Sequence, residues 1–371
     1  MALTIVRNDI TRMKVDAIVN STNEDLEVGG FGVDAGIHYA AGPRLRDALA
    51  EIGHCPVGSA VITDSFDIPQ CKYIIHAVGP YYIDGKHDER RELESCYRRI
   101  LSLARENGCR SVAIPSISTG AYGYPKAEAY SVATACIREF LLSLPEDEDM
   151  MVFIVLYDRE SVAVSEKIDS GVKHFISEAY RESRKAQLQS FFYADRPRMQ
   201  QDMRRPTSHA APSGTVFESK PELTAEEAAS PVFSAAEPEV CAAVPSDAHL
   251  PGAGYEKEDR SFADMCEWWC KEKGLSKKEF YNRANINKSM FWGMKHHPEQ
   301  IPKKTNALAC VIGLKLNYDQ AIDLLRRAGM TLSKYYETDL IVEYFIREGN
   351  FDIDEINALL YQKDLSLLGT Y

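Results

Sequence analysis

Two loops carry the residues of this chain whose types and spacing can do chemistry. The first runs from Asn20 to Asp34 and holds a polar Asn-Ser-Thr-Asn segment followed by a glycine-rich one. The second runs from Pro115 to Pro125 and is built from Ser, Thr, Gly and Tyr. Glycine lets backbone N–H groups approach an anion, and a helix N-terminus favours negative charge. Because each loop joins a strand-like run to a helix-like run, the pair predicts a cradle for a diphosphate.

Neither loop matches the common phosphate-binding signatures. No Gly-Lys-Ser/Thr sequence follows either loop, as a P-loop requires, and neither has G-x-G-x-x-G opening a helix directly after the first strand. A single glycine cluster is as often an ordinary turn. The prediction of a nucleotide-diphosphate site therefore depends on the two loops together and on the polar residues inside them.

Composition limits the class of protein. The chain of 371 residues has a net charge of −12, which argues against coating nucleic acid by charge alone. None of its apolar stretches reaches the length of a membrane span, and the N-terminus lacks the segments of a signal peptide. Nine cysteines without a CxxC pair indicate reduced thiols. We therefore expect a cytoplasmic protein without membrane contacts.

Cys266 and Cys270 are spaced to share one face of a predicted helix. A structural metal would need two further ligands nearby, so the favoured interpretation is a pair of buried thiols beside Trp269. We expect no metal and no cofactor.

Residues 1–182 alternate strand-like and helix-like patterns. This alternation predicts an α/β fold, with a mixed sheet between helices on both faces. Ligands of such folds bind at the carboxyl ends of the strands, where both loops begin. The predicted strands are residues 2–6, 17–20, 60–63, 73–78, 112–117 and 151–157, and the predicted helices 42–52, 89–106, 126–143 and 158–181.

The rest of the chain contains two segments that differ in composition and in predicted structure. Residues 186–258 hold eight of the 17 prolines and few large apolar side chains, which predicts a disordered linker. Residues 259–371 show helical patterns separated by short polar turns, which predicts a small all-α domain. The expected helices are residues 262–273, 277–284, 288–295, 303–315, 318–328, 339–347 and 352–360.

Residues 1–182 resemble the macro domain family, in its MacroD-type branch. The matching segments occur in family order: Asp9 to Thr11, Val15 to Asn20, Gly32 to His38, Ala40 to Gly42, Ile75 to Pro80 and Ile117 to Pro125. The resemblance implies a three-layer α/β/α fold that binds ADP-ribose. It also implies the activities of this branch, which removes ADP-ribose from carboxylate side chains and deacetylates O-acetyl-ADP-ribose.

The resemblance also implies binding roles. Asp9 would accept a hydrogen bond from the adenine amino group and Ile10 would offer its backbone N–H to the ring, although Asp9 equally suits an N-cap. Asn20 and Asn23 would bind the distal ribose hydroxyls, although asparagine is also common in turns. The other positions would donate backbone N–H groups to the phosphates or, for Tyr122, pack on the distal ribose: Gly30, Phe31, Gly32, Val33, Ser118, Thr119, Gly120, Ala121 and Tyr122.

Asp34 is the predicted catalytic residue, together with Asn20 and Asn23. The resemblance implies hydrolysis at the distal ribose, and a carboxylate that orients or deprotonates a water suits that reaction. Its position near a helix start also permits a capping role. His38, one turn further along the helix, is predicted to hold Asp34 or the loop in place. His76, in mid-strand, is predicted to be a core or crevice-wall residue rather than a base.

Two departures from the family pattern bear on activity. Phe31 interrupts a run that usually has four glycines, and a side chain there can crowd or cover the distal ribose. Five residues, Glu24 to Val28, separate Asn23 from Gly29, one more than is usual.

The leading hypothesis is an ADP-ribosyl hydrolase. The alternative is a non-catalytic reader of ADP-ribose or a regulator that responds to it; in each case the partner is ADP-ribose or an ADP-ribosylated protein.

The segment Leu275 to Met294 resembles a Cro/C1-type helix-turn-helix, with Asn285 where glycine is usual. After glycine, asparagine is among the residues that best tolerate the left-handed conformation. Residues 255–330 carry 14 Lys and Arg against 10 Asp and Glu, a small surplus for a DNA-binding domain. DNA and a protein are therefore both candidate partners of this part. The resemblance places four residues on the recognition helix or near phosphates: Lys288, Ser289, Trp292 and Lys295.

Overall fold

The computed structural model of the protein describes residues 2–30, 32–145, 148–156, 166–194, 260–297 and 301–369. Phe31 and most of the predicted linker lie outside these residues. The linker is predicted to begin at residue 186, but the helix that precedes it continues past this residue and ends at Ala194.

The N-terminal part contains a mixed six-stranded sheet, as the sequence predicts. Its strands are β1 (Ala2–Arg7), β2 (Ala17–Ser21), β3 (Ser59–Asp64), β4 (Tyr73–Val78), β5 (Ser111–Pro115) and β6 (Met151–Leu156). They lie in the order β1-β6-β5-β2-β4-β3. All neighbouring pairs are parallel except β3 and β4.

Helices cover both faces of this sheet. They are α1 (Gly32–Ala41), α2 (Pro43–Ile52), α3 (Glu89–Glu106) and α4 (Lys126–Ser143), with a short 3-10 helix at Ile10–Arg12; a further helix, α5 (Glu166–Ala194), follows β6. Successive strand residues point to opposite faces. Accordingly, Ala17 and Val19 pack in one hydrophobic cluster with α3 and α4, whereas Ile18 packs in another with α1 and α2. The result is the three-layer arrangement that the sequence predicts.

The C-terminal part is helical, which confirms the sequence prediction. Its helices are α6 (Phe262–Glu272), α7 (Lys277–Arg283), α8 (Lys288–His296), α9 (Lys304–Gly313), α10 (Tyr318–Arg327), α11 (Glu337–Arg347) and α12 (Ile353–Gln362). Side-chain caps set several of the starts. Ser276 and Glu279 form a capping box on α7, Asn317 and Gln320 form one on α10, and Asn287 caps α8.

The two parts pack into one compact unit of residues 1–186 and 260–371. Arg138 of α4 donates from Nη2 to Asp354 Oδ1 at 2.7 Å and from Nη1 to the carbonyl oxygen of Asn282 at 2.5 Å. Val172 of α5 belongs to the hydrophobic cluster of the C-terminal helices. The helical part is therefore fastened to the α/β part by a largely buried ion pair and by shared apolar packing. Among the described helices, none combines the length and apolar character needed to cross a membrane.

Candidate functional site

The two predicted loops meet at one edge of the sheet. β2 and β5 are parallel neighbours, so the loops that follow them leave from adjacent carboxyl ends. They enclose a cavity of about 500 Å³. Its lining residues are Ser21, Thr22, Asn23, Gly29, Gly30, Gly32, Val33, Asp34, Pro115, Ser116, Ser118, Gly120, Ala121 and Tyr122.

Backbone groups dominate part of this lining. Gly32 has a φ of +80°, which strains any residue with a side chain, and it begins α1. Among the described residues, no other heavy atom lies within 4 Å of where a Cβ would stand on Gly30 or Gly120. The first turn of a helix has unpaired N–H groups, so open space beside glycine at this turn suits an anion.

Two of the lining residues carry buried hydroxyls without a described partner. They are Thr22 and Ser118, and neither Thr22 Oγ1 nor Ser118 Oγ has a hydrogen-bond partner among the described residues. Ser118 also has a φ of +62°, in the left-handed region that non-glycine residues seldom occupy. Buried polar groups are normally paired, so these two hydroxyls keep hydrogen-bonding capacity that the described residues do not use.

Asp34 is held in the first turn of α1 by two donors. Its Oδ1 accepts from Asn20 Nδ2 at 2.6 Å, and its Oδ2 accepts from the Gly29 backbone N–H at 2.5 Å. Asp34 is 6% exposed and lines the cavity. Each carboxylate oxygen keeps a second lone pair, so the group is positioned and can still accept a proton.

A buried polar chain continues behind Asp34. Asn20 Nδ2 lies 3.3 Å from His76 Nδ1, and His76 Nε2 lies 3.0 Å from Thr63 Oγ1. The Thr63 hydroxyl donates its hydrogen to the Asp64 carbonyl. Its oxygen therefore accepts a hydrogen bond from His76 Nε2–H, and the unprotonated Nδ1 of His76 accepts one from Asn20. Burial, reinforced by His38, lowers the pKa of His76 to about 3. His76 therefore stays neutral, as this arrangement requires, and lies in the core as predicted.

His38 stands on the other side of Asp34. Its Nε2 lies 3.5 Å from Asp34 Oδ1, which is long for a hydrogen bond. Burial lowers the pKa of His38; the Asp34 carboxylate opposes this shift and Arg46 adds to it. The structure thus brings His38 next to Asp34, as its spacing along α1 predicts.

Asn23 lines the same cavity as Asp34, but its amide is used within its own loop. Asn23 Nδ2 donates to the Glu27 carbonyl at 2.9 Å, and Asn23 Oδ1 accepts from the Glu27 N–H at 3.1 Å. Leu26, with a φ of +57°, closes this turn and is buried. The five-residue spacer is therefore folded into a tight turn.

Four predicted site residues do not line the cavity. Asp9 caps the 3-10 helix, accepting from the Thr11 N–H at 3.0 Å and from its hydroxyl at 2.7 Å. Ile10 is buried in the α1–α2 layer, and Asn20 is fully buried beside Asp34. Thr119 donates its hydroxyl to the Ser116 carbonyl. The prediction for Phe31 lies outside the described residues.

Some lining residues were not predicted. Ser21 and Thr22 stand between the two asparagines, and Ser116 lies in the second loop before Ser118, where the predicted binding residues begin. Their position inside polar loops is the only sequence signal for them. Tyr81 was also missed: its ring stacks on Tyr122 with centroids 4.1 Å apart. The Tyr-Tyr pair after Gly79-Pro80 has no pattern that indicates this contact.

One group of side chains has the spacing of cation ligands. Ligand atoms of Asp84, His87 and Glu89 lie within 4.8 Å of one another. The Glu89 carboxylate, however, already accepts backbone N–H groups from the loop before it. The group is therefore explained by the folding of its own loop.

The predicted DNA-binding residues line a second cavity, of about 430 Å³. Lys288, Ser289, Trp292 and Lys295 of α8 share it with Glu148 and Asp149 from the loop before β6. Trp292 is 55% exposed and stacks on His296 with centroids 4.2 Å apart. Lys295 donates to Glu267 Oε2 at 2.7 Å, so it is engaged within the helical part.

Asn285 adopts the left-handed conformation predicted for the helix-turn-helix, with a φ of +53°. It is fully buried, and its Oδ1 accepts from the Leu3 backbone N–H at 3.0 Å and from Arg138 Nη2 at 3.2 Å. The turn between α7 and α8 is thus packed against the α/β part.

Comparisons with known proteins find relatives of the N-terminal part. The family model described as Macro domain matches residues 19–133. A macro domain-containing protein of Listeria monocytogenes is 43% identical over 172 residues, which are 45% of this chain and 97% of the relative. An O-acetyl-ADP-ribose deacetylase of an Enterobacter species is 45% identical over 168 residues, 44% of this chain and 91% of the relative. The solved structure of the Oceanobacillus iheyensis macrodomain with ADP is 38% identical in sequence and has a TM-score of 0.40. The match covers 43% of this chain and 85% of the solved chain. Through its N-terminal part, the chain belongs to the macro domain family.

Proposed function

We propose that the cavity between the two loops binds ADP-ribose. The observation that carries this proposal is the open glycine backbone at the start of α1, in a cavity that is also lined by Thr22 and Ser118, whose hydroxyls have no described partner. Both kinds of group can donate hydrogen bonds to a diphosphate, and the helix N-terminus adds a favourable potential. The relatives named O-acetyl-ADP-ribose deacetylase support a ligand of this class.

The proposed reaction is hydrolysis of an ester at the distal ribose, of a glutamate or aspartate side chain or of an O-acetyl group. A water attacks the ester carbonyl carbon, the bond between that carbon and the ribose oxygen breaks, and the ribose oxygen takes up the proton that the water gave up. The carboxylic acid formed on the water oxygen then ionises. Asp34 orients this water and accepts its proton, because it is the carboxylate that lines the cavity. Asn20 and the Gly29 N–H hold Asp34 in place.

A non-catalytic reader is the second candidate, and two contacts favour it. Both oxygens of Asp34 already accept hydrogen bonds, and Asn23 uses both ends of its amide on Glu27. A site with these groups engaged still binds ADP-ribose through the glycine backbone, but it holds a water less firmly. Turnover therefore decides between the two candidates.

For the helical part we propose a helix-turn-helix of the Cro/C1 type that serves as an interaction module. The support is the α7–turn–α8 arrangement with left-handed Asn285 and the exposed Lys288, Ser289 and Trp292 on one side of α8. DNA and a protein stay the two candidate partners.

The test measures release of ADP-ribose from a protein mono-ADP-ribosylated on glutamate, with calorimetric binding of ADP-ribose beside it. We expect Asp34→Ala to lower turnover about 10² to 10⁴-fold, the usual contribution of a general base, while affinity changes only a few-fold. Asp25→Ala, an exposed acid of the same loop, is the matched control. Tight binding without release by the wild type would establish the reader, and equal turnover in Asp34→Ala would remove Asp34 from catalysis.

A further inference from the structure

The second cavity, of about 430 Å³, is within the size range of small-ligand pockets. It is lined by residues of α6, α7 and α8 and of the loop before β6. Buried Phe291 holds α8 against α7, because its ring contacts those of Phe280 and Tyr281 with centroids 5.5 and 5.4 Å apart. The wall that α8 contributes to the cavity is therefore fixed by core packing.

Trp292 lines this cavity as part of an aromatic stack. Its ring lies on the ring of His296 with centroids 4.2 Å apart and an interplanar angle of 19°. His296 Nδ1 is 2.9 Å from the Trp292 carbonyl oxygen, which can only accept, so Nδ1 carries a proton and the imidazole is held in place. Trp292 nevertheless stays 55% exposed. The stack thus offers a preordered aromatic surface to a planar ligand.

Most charged side chains of the cavity are engaged in internal pairs. The Glu267 carboxylate accepts from Lys277 at 2.8 Å and from Lys295 at 2.7 Å. Glu148 accepts two hydrogen bonds from Arg105, at 2.7 and 2.9 Å. These pairs neutralise both carboxylates, and the pair of lysines on Glu267 leaves one positive charge in excess.

Lys288 is left to contact a ligand. It is exposed and has no hydrogen bond or ion pair among the described residues, whereas Lys278 donates to the Leu144 carbonyl. Lys288 and Ser289 stand in the first turn of α8, where the helix potential favours an anion. Trp292 follows Lys288 by one turn, so the two share a face of α8 and lie about 6 Å apart along its axis, at 1.5 Å per residue.

We propose that this cavity binds an unpaired nucleotide, with its phosphate on Lys288 and its base stacked on Trp292. One ribose separates a phosphate from its base, a span comparable to one turn of α8. A double helix fits these groups less well, because its bases are already stacked and its many phosphates would meet Lys288 beside the carboxylates of Glu148 and Asp149.

The inference rests on the interaction role proposed for the helical part and names the chemistry of its partner. A free nucleotide and a nucleotide within a single strand present the same base and phosphate. Stacking tolerates any base, because every base has an aromatic face. The two sources are therefore separated by probes that share one base and differ in length.

The experiment measures, by calorimetry, binding of the full-length protein to thymidine monophosphate, to a short oligothymidylate and to a DNA duplex. We expect Trp292→Ala to weaken binding of the two thymidine probes about tenfold, as for the loss of one base–aromatic stack, and Trp292→Phe to keep most of the affinity. Lys288→Gln should lower the slope of log affinity against log salt for the oligothymidylate by about 0.7, the effect of one lost phosphate contact. The matched controls lie in the helical part outside the cavity: Tyr336→Ala, at a tyrosine that is 57% exposed, and Lys271→Gln on α6.

Tighter binding of the oligothymidylate than of the monophosphate would identify a strand as the source, and equal binding a free nucleotide; with the Trp292→Ala loss, either result supports the proposal. No binding of either thymidine probe would overturn it and leave a protein as the partner of the helical part. Binding of the duplex alone, unchanged in Trp292→Ala, would also overturn it but keep the helix-turn-helix role. Thymidine binding that ADP-ribose displaces and Trp292→Ala leaves unchanged would belong to the first cavity and would equally contradict the proposal.

Discussion

Asn20 Nδ2 and Asp34 Oδ1 are 2.6 Å apart, and the asparagine is fully buried. Asn20 touches the carboxylate and His76 rather than the space that a ligand would fill. Its two amide hydrogens are directed to two acceptors, Asp34 Oδ1 and His76 Nδ1. In the proposed reaction Asn20 is therefore a positioning residue that holds the Asp34 carboxylate in one orientation.

Replacing Asn20 by aspartate should change the pH dependence of turnover. Asn20→Asp sets a second carboxylate beside Asp34, and like charges at this distance raise the pKa of one of them. We expect the acidic limb of the kcat/KM profile to move to higher pH by about one unit or more, with ADP-ribose affinity changed only a few-fold. Asn107→Asp, at the end of α3, is the control. An unshifted profile would mean that ionisation of Asp34 does not limit the reaction.

His76 should make the fold less stable in acid. Its pKa in the folded protein is lowered to about 3 from an ordinary value of 6.5. Between these values the unfolded chain binds a proton that the folded chain does not, so stability falls as pH decreases from 6.5 towards 3. This single group contributes a slope of at most about 1.4 kcal/mol per pH unit.

Urea unfolding at pH 7, 6 and 5 measures this slope. His76→Gln should flatten it, whatever its effect on stability at pH 7, because glutamine does not titrate. His54→Gln, at an exposed histidine, should leave the slope as in the wild type. The same slope in wild type and His76→Gln would show that other groups cause the acid sensitivity.

The sequence predicts what is encoded locally. Apolar runs such as β2 and β5, which alternate along the chain with helix-like segments, predict the layers, and the polar glycine loops that follow them predict the cavity. The contact of Asn20 with His76 is not local: the residues are register partners across β2 and β4 and lie 56 positions apart. The docking of the helical part depends in the same way on Arg138 and Asp354, which are separated by 216 positions. Such pairs become neighbours only through the sheet order and the packing of helices.

The Arg138–Asp354 pair should hold the two parts together. Both side chains are largely buried, and removing one of them leaves the other charge without its partner. We expect Arg138→Met to lower the free energy of unfolding by about 3 kcal/mol, the usual cost of breaking a buried pair. Arg98→Met, at an exposed arginine of α3, is the control.

Hydrogen exchange should localise the effect of Arg138→Met. Protection in α7 should fall more than protection in β2 or β5, because Arg138 also binds the Asn282 carbonyl and Asn285 Oδ1. Uniform loss of protection would indicate general destabilisation instead. An unchanged free energy of unfolding in Arg138→Met would mean that apolar packing around α5, rather than the ion pair, holds the helical part on the α/β part.

A substitution at Lys288 should show whether the helical part binds DNA. Lys277 and Lys295 both donate to Glu267, and Lys278 donates to the Leu144 carbonyl. Lys288 is exposed on α8 and is the lysine of this cavity that is left to contact a phosphate. If the helix-turn-helix reads DNA, gel-shift affinity should fall steeply with salt, and Lys288→Glu should abolish binding at 0.15 M salt while Lys271→Glu on α6 does not. Acidic Glu148 and Asp149 in the same cavity oppose a duplex, so salt-insensitive or absent binding by the wild type would instead make α8 a protein-binding surface.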